Sequence, residues 1–315
     1  MRLHNEVVMP YTNNERMVKM AEGGMGEIFL RHGPDNHRSV VKRLRPETSP
    51  ASSFLLQKEA LLVSLLDHPN LVTYRSFTIE DGNPVLELEY IDGVPLKEFF
   101  LLHEQKDLAV PLTHLACIGR QVLAAITYLH YFSIGNRPCH IAHRDLSPHN
   151  ILLDRTGRAT VIDLGISTLD LGQREDTFVP HAGKDLYSPI FSRRARGPAC
   201  DVDLYSLGVI LLEGCLGLEH CRVLERLGLL CDRGRLRRHL TEDTPVNKRL
   251  IDIILPLLFT EAPGKRAYRQ LEHRLEALGG SEEGLAEYLV ERGLFQPRPV
   301  SPLLPTRQVT VFNLS

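Results

Sequence analysis

Between His143 and Gly165 the chain reads His-Arg-Asp-Leu-Ser-Pro-His-Asn, a short apolar run, Asp154-Arg155-Thr156-Gly157, a second apolar run, and Asp163-Leu164-Gly165. Two apolar segments joined by a polar turn with a glycine predict a β-hairpin. Closing that hairpin carries Asp145 and Asn150, before its first strand, towards Asp163, after its second. Carboxylate and amide oxygens so grouped suit a hard cation such as Mg²⁺, which takes oxygen ligands and shares them with phosphate. A further carboxylate nearby suits acceptance of a hydroxyl proton, and the set as a whole points to phosphoryl transfer.

The rest of the chain has motifs that answer to such a site. Residues 16–30 alternate apolar and polar around Glu22-Gly23-Gly24-Met25-Gly26, a hairpin whose glycine tip lets backbone N–H groups approach an anion. Ser39-Val40-Val41-Lys42 ends a β-branched strand. Ser49-Pro50 opens a helix, with Leu55, Leu56, Ala60, Val63 and Leu66 at helical spacing and Glu59 among them. Val85 to Gly93 is an alternating strand closing on a glycine. Helices follow at Pro95–Phe100, Leu112–Tyr131, from Asp203, and around 218–230, 247–259 and 269–278. Ser281–Phe295 has a capping serine and early Glu282-Glu283, and reads as a further helix. Residues 1–15 are an arm or a leading strand, and 296–305, with four prolines, is extended or disordered.

Composition narrows the class. A formal net charge of −2 over 315 residues gives no basic field for nucleic acid or an anionic membrane. The six cysteines, Cys117, Cys139, Cys200, Cys215, Cys221 and Cys231, contain no Cys-x-x-Cys pair and read as reduced thiols. The N-terminus has no apolar leader and no uninterrupted apolar run approaches a spanning length. The expectation is a cytoplasmic protein, with a secreted effector as the variant.

Taken together, these motifs resemble the protein kinase superfamily, in particular the eukaryotic-like (Hanks-type) Ser/Thr kinases and a bacterial branch with a His-Arg-Asp-Leu-Ser-Pro-x-Asn loop. The resemblance covers about residues 16–278. It implies an α+β, bilobal fold: a small β-rich N-lobe with one helix and hinge (16–91), a larger helical C-lobe (92–279), and an additional helix and tail (280–315). It implies ATP and Mg²⁺ as cofactors and Ser/Thr hydroxyls of proteins as substrates, with autophosphorylation, self-association in trans being an open option.

By the same resemblance Asp145 is the catalytic base, Asn150 and Asp163 hold Mg²⁺, and Lys42, paired with Glu59, clamps the phosphates. Gly23 and Gly26 cover the nucleotide. Ile28, Val40 and Leu152 sandwich adenine, the backbone of Glu89 and Ile91 bonds it, and Leu88 is the gatekeeper. Asp203 anchors the catalytic-loop backbone. Arg144 pairs a phosphate on the activation segment, with Thr177 the best-placed acceptor.

Departures from the pattern are Ala21 for the first glycine, Leu164 for phenylalanine, Ile190 for the glutamate that Arg266 would pair, and Ser147 for the catalytic-loop lysine. Lys184 stands where the family has a threonine facing that lysine, and is read as its replacement. Two other classes remain open on sequence: a pseudokinase that binds nucleotide without turnover, and a small-molecule kinase.

Overall fold

The computed structural model describes residues 9–11, 15–22, 26–34, 37–45, 49–80, 82–165, 167–170, 185–188, 200–259 and 264–295. Gly23, Lys184, Thr177, Ile190 and the tail from 296 therefore lie outside the described residues.

The first lobe is a sheet of six strands in the order β1-β2-β3-β4-β6-β5: β1 (Met9–Tyr11), β2 (Glu15–Glu22), β3 (Glu27–His32), β4 (Arg38–Arg43), β5 (Tyr74–Glu80) and β6 (Asn83–Glu89). Residues 9–11 thus form a leading strand on Arg16 and its neighbours. Register decides which side chains share a face. Ile28 pairs with Lys42, Leu30 with Val40, Val40 with Leu88 and Lys42 with Leu86, so these lie on one face. Met17, Phe29, Val41 and Val85 form a small core on the other. Against the first face packs α1 (Pro50–Ser64), opened by Ser49, whose hydroxyl accepts from the Ser52 N–H with a proline at the start of the helix.

After β6 the chain crosses at Tyr90–Asp92 to β7 (Gly93–Pro95) and then α2 (Leu96–Gln105) and α3 (Leu112–His130). A small β8–β9 hairpin (Ser133–Ile134 and Arg137–Pro138) leads to β10 (His140–Ala142). β11 (Ile151–Asp154) and β12 (Ala159–Val161) form the hairpin expected around residues 154–157, and β11 also pairs with β7. β13 (Thr168–Asp170) pairs back on β10. The remaining helices are α4 (Cys200–Leu216), α5 (Leu218–Arg226), α6 (Arg233–Glu242), α7 (Lys248–Phe259), α8 (Lys265–Glu276) and α9 (Glu282–Glu291).

The second lobe is organised on α3 and α4. Leu115, Ile118, Ile126 and Leu129 of α3 and Leu204, Leu207, Ile210 and Leu211 of α4 are fully buried, each worth about 1.5–3 kcal/mol of apolar transfer. α4 is apolar on all sides and packs on α3 and α7, as a central helix must. α3 is also long and apolar enough to cross a membrane by composition, but 61% of it is buried inside the fold, the signature of a core helix.

Four helices depart from the sequence reading: α2 runs on to Gln105 rather than ending at Phe100, α8 begins at Lys265 rather than at 269, and α5 and α6 differ more. α6 had not been expected: its Arg233-Gly234-Arg235 start and four arginines mask an apolar stripe of only Leu236 and Leu240. The helix read over 218–230 ends at Arg226, because Gly228 takes a left-handed φ of +66° and turns the chain into a 3₁₀ segment over Leu229–Cys231. Among the described residues Cys117, Cys139, Cys215, Cys221 and Cys231 are free thiols.

Candidate active site

Lys42 ends the cleft-facing row of β4 and lies between two acids. Its ammonium bonds Glu59 of α1 and reaches Asp163 Oδ1 at 2.9 Å. β4, α1 and the segment after β12 supply these three residues, so both lobes meet at one cation. Burial alone would lower the lysine's pKa, but the charges of Glu59 and Asp163 outweigh it and hold the ammonium well above its ordinary value. Burial raises the Glu59 carboxyl against the pull of Lys42, while Asp163, which also accepts the Gly165 N–H, is held below its ordinary value because Lys42 overcomes the cost of burial.

The second anchor is Asp203, fully buried in the first turn of α4. Its carboxylate accepts the backbone N–H groups of His143 and Arg144 and faces His130 Nε2, each at 2.8 Å. Burial pushes its pKa up, and the His130 hydrogen bond and charge, the His143 charge and the Arg144 N–H bring it below the ordinary value. Arg144 is thereby held at φ +68°, a conformation rare for a residue with a side chain. Asp163, at φ +67°, is in the same region. His143 Nε2 meets the Ile162 carbonyl at 3.0 Å, and the Ile162 N–H donates to the Asn150 carbonyl at 2.9 Å. The loop carrying Asp145 and Asn150 and the strand end carrying Asp163 are in this way stitched together.

Asn150 has a directed amide. Its nitrogen donates to the Asp145 carbonyl at 2.8 Å and to Asp145 Oδ2 at 3.0 Å, which leaves the amide oxygen as its remaining polar atom. Asp163 keeps a side chain 45% exposed. Above them Ile28, Val40 and Leu152 are half-buried apolar side chains, while Leu88 is buried. At the crossing between lobes the Glu89 N–H donates to the Thr73 carbonyl and the Ile91 carbonyl accepts from Gly93. Gly26 has a packing reason of its own: a Cβ there would sit 2.4 Å from the Arg43 carbonyl oxygen.

A protein kinase domain matches residues 14–258, well over half of the chain. The chain belongs to the protein kinase family. It is 32% identical over 202 residues to the serine/threonine-protein kinase PrkC of Bacillus subtilis, a match covering 61% of this chain and 28% of that protein. Over 229 residues it is 30% identical to the tyrosine-protein kinase MasK of Myxococcus xanthus, covering 70% of this chain and 35% of that one. A probable serine/threonine-protein kinase of Streptomyces coelicolor is 32% identical over 205 residues. The chain spans about a third or less of the length of these relatives (35%, 28% and 28%).

Within the kinase fold, the sequence-predicted residues Lys42, Glu59, Asp145, Asn150 and Asp163 fall in one interlobe region, and Arg144 and Asp203 brace the loop. Leu164 is buried in the main core where the family pattern has phenylalanine. Ser147 is fully buried, and Arg266 is exposed on the first turn of α8 with no recorded ion pair among the described residues. Sequence reasoning missed one buried network: Glu213 of α4 accepts from Tyr187 and, at 3.1 Å, from Lys97, while Ser206 donates to the Tyr187 carbonyl at 2.7 Å. These bonds seat residues 185–187 against α4. A glutamate inside an apolar helix, twenty-six positions from Tyr187, was the available signal.

Proposed function

We propose that this chain transfers the γ-phosphoryl group of ATP to serine or threonine hydroxyls of proteins. The observation that carries the reading is the position of the Lys42 ammonium between Glu59 and Asp163, a cation held charged and aimed between the lobes.

Lys42 would hold the nucleotide's phosphates, released from Asp163 as those oxygens arrive and kept in place by Glu59. Asp145, oriented by the Asn150 amide, would accept the proton of the attacking hydroxyl. The donor set of one carboxylate and one amide oxygen suits Mg²⁺ shared with phosphates, since Mg²⁺ uses one or two carboxylates and takes its other oxygens from substrate and water. When bound, the ion neutralises charge on the transferring phosphoryl group. Half-buried Ile28, Val40 and Leu152 offer apolar walls for the base, as nucleotide clefts require.

Serine/threonine rather than tyrosine acceptance rests on the catalytic-loop pattern and on the PrkC and Streptomyces relatives. Activation-segment control rests on Arg144. Burial, and after it the Arg144 charge, holds Lys58 of α1 below its ordinary value, and Arg144 is read as the residue that pairs a phosphate on Thr177.

The test is transfer of labelled γ-phosphate from ATP with Mg²⁺ to the protein itself and to a generic basic protein, beside Asp145→Ala. Incorporation on serine or threonine that disappears in the variant is the expected result. ATP binding without transfer, or transfer only to small hydroxyl compounds, overturns it. Intact mass counts the phosphates on the active sample and fragmentation of the peptide that carries Thr177 locates one there, and its absence from that peptide removes the activation-segment proposal.

A further inference from the structure

The family match ends at residue 258, yet α9 lies beyond it and touches the hairpin that frames the site. The open ends of β11–β12 carry Asn150 on one side and Asp163 on the other, and β11 itself carries Leu152. The closed end meets the start of α9 and, again, the segment just past its end. At the tip, Gly157 has φ +80°, and a Cβ there would lie 2.0 Å from the Glu282 carbonyl oxygen, so backbone rests on backbone. At the side, the Arg155 guanidinium lies 4.8 Å from the centre of the Phe295 ring, just past α9, while its Nε donates to the Asp92 carboxylate at 3.0 Å.

Asp92 follows Ile91 at the crossing between lobes. Arg38, at the start of β4, approaches the same carboxylate at 3.9 Å and places its own guanidinium 4.2 Å from the centre of the Tyr90 ring. A continuous line of contacts therefore runs from Phe295 through Arg155 and Asp92 to the first lobe. α9 is firmly seated: Leu285 and Leu289 are fully buried, and the Tyr288 hydroxyl is 2.8 Å from His103 Nε2 of α2.

We infer that α9 and Phe295 are a positioning element for the nucleotide cleft, holding the closed end of the β11–β12 hairpin and, through Arg155, the hinge at Asp92. The inference rests on the nucleotide-binding reading above. Arg155 to Asp92 is a partly exposed ion pair and would by itself be weak. Stacking on Phe295 adds a cation–π contact and removes alternative rotamers of the arginine, so the two bonds support one another. With either lost, the hairpin spends part of its time with Asn150, Leu152 and Asp163 out of register with the first lobe. Apparent nucleotide affinity falls by the fraction of molecules still competent, and the chemical step in those molecules is unchanged.

The experiment measures MgATP dissociation constants by calorimetry, together with KM for ATP, kcat and the thermal midpoint, for the full chain and its Phe295→Ala, Phe295→Tyr and Arg155→Ala variants. The expected result is affinity weakened about three- to tenfold in Phe295→Ala and Arg155→Ala, with KM following and kcat nearly constant. Phe295→Tyr keeps a ring under the guanidinium and restores parental affinity. Arg155 is one-third exposed, so its variant keeps the fold even where Phe295→Ala does not. If the parent binds MgATP and the variants bind it equally well, with only the melting temperature lowered, α9 is a stabilising helix and the inference is overturned. If the parent itself does not bind MgATP, the nucleotide reading falls and takes the inference with it.

Discussion

A single ammonium explains much of the site at the residue scale. Lys42 holds its proton more tightly than an ordinary lysine because two carboxylates, one from each lobe, outweigh the cost of burying it. The other residue that tests the chemistry is Ser147, fully buried where the family pattern has a lysine. Losing a preorganised cation near the transferring group costs roughly 10²–10³ in rate. If Lys184 supplies that charge, Lys184→Ala loses turnover by about that factor, and adding Ser147→Lys recovers part of it. Unchanged steady-state kcat in Lys184→Ala rules the replacement out.

At the scale of elements, the geometry of the candidate site is inherited from α4. Asp203 belongs to a largely buried helix, and its carboxylate fixes two consecutive N–H groups of the loop that carries Asp145, together with His130 of α3. Arg144 can hold its left-handed φ because those bonds over-determine it. Asp203→Ala leaves three polar groups, two of them fully buried, without their acceptor and is expected to cost about 3–5 kcal/mol of stability. A urea titration reads this as a lower midpoint at constant slope, and a midpoint within error of the parent's contradicts the anchoring role.

At the scale of the whole molecule, the packing of α9 makes stability depend on pH. His103 and His114 face Tyr288 of α9, and His114 Nδ1 is buried without a hydrogen-bond partner. Burial, reinforced by the Arg292 charge, holds both below the ordinary histidine value of 6.5. The unfolded chain therefore takes up protons first as pH falls. Their contribution to stability is complete above pH 6.5 and is lost progressively below it. His68 and His220, also lowered by burial, act in the same direction. The melting temperature should drop between about pH 6.5 and 5, and His103→Gln with His114→Gln should flatten that slope. An equal slope in the double variant shows that these two histidines are not its source.

Local order alone determined a good deal of this protein. Alternation, capping serine-proline and the Asp154–Gly157 turn are near-neighbour effects, so β2–β3, α1, β11–β12 and α9 were legible, as were Lys42, Glu59, Asp145, Asn150, Asp163 and Asp203 through their motif spacing. Helix α6 was not, because its apolar stripe is two residues wide and is buried only by its neighbours. Nor was the function of Gly157, whose contact lies 125 positions away on Glu282 and whose need for glycine arises from two backbones meeting. The ties of Tyr187 to Glu213 and of Phe295 through Arg155 to Asp92 were likewise decided by the tertiary fold. Propensity acts over a few residues, whereas the partner of a buried charge or ring is whatever side chain the packing brings within reach.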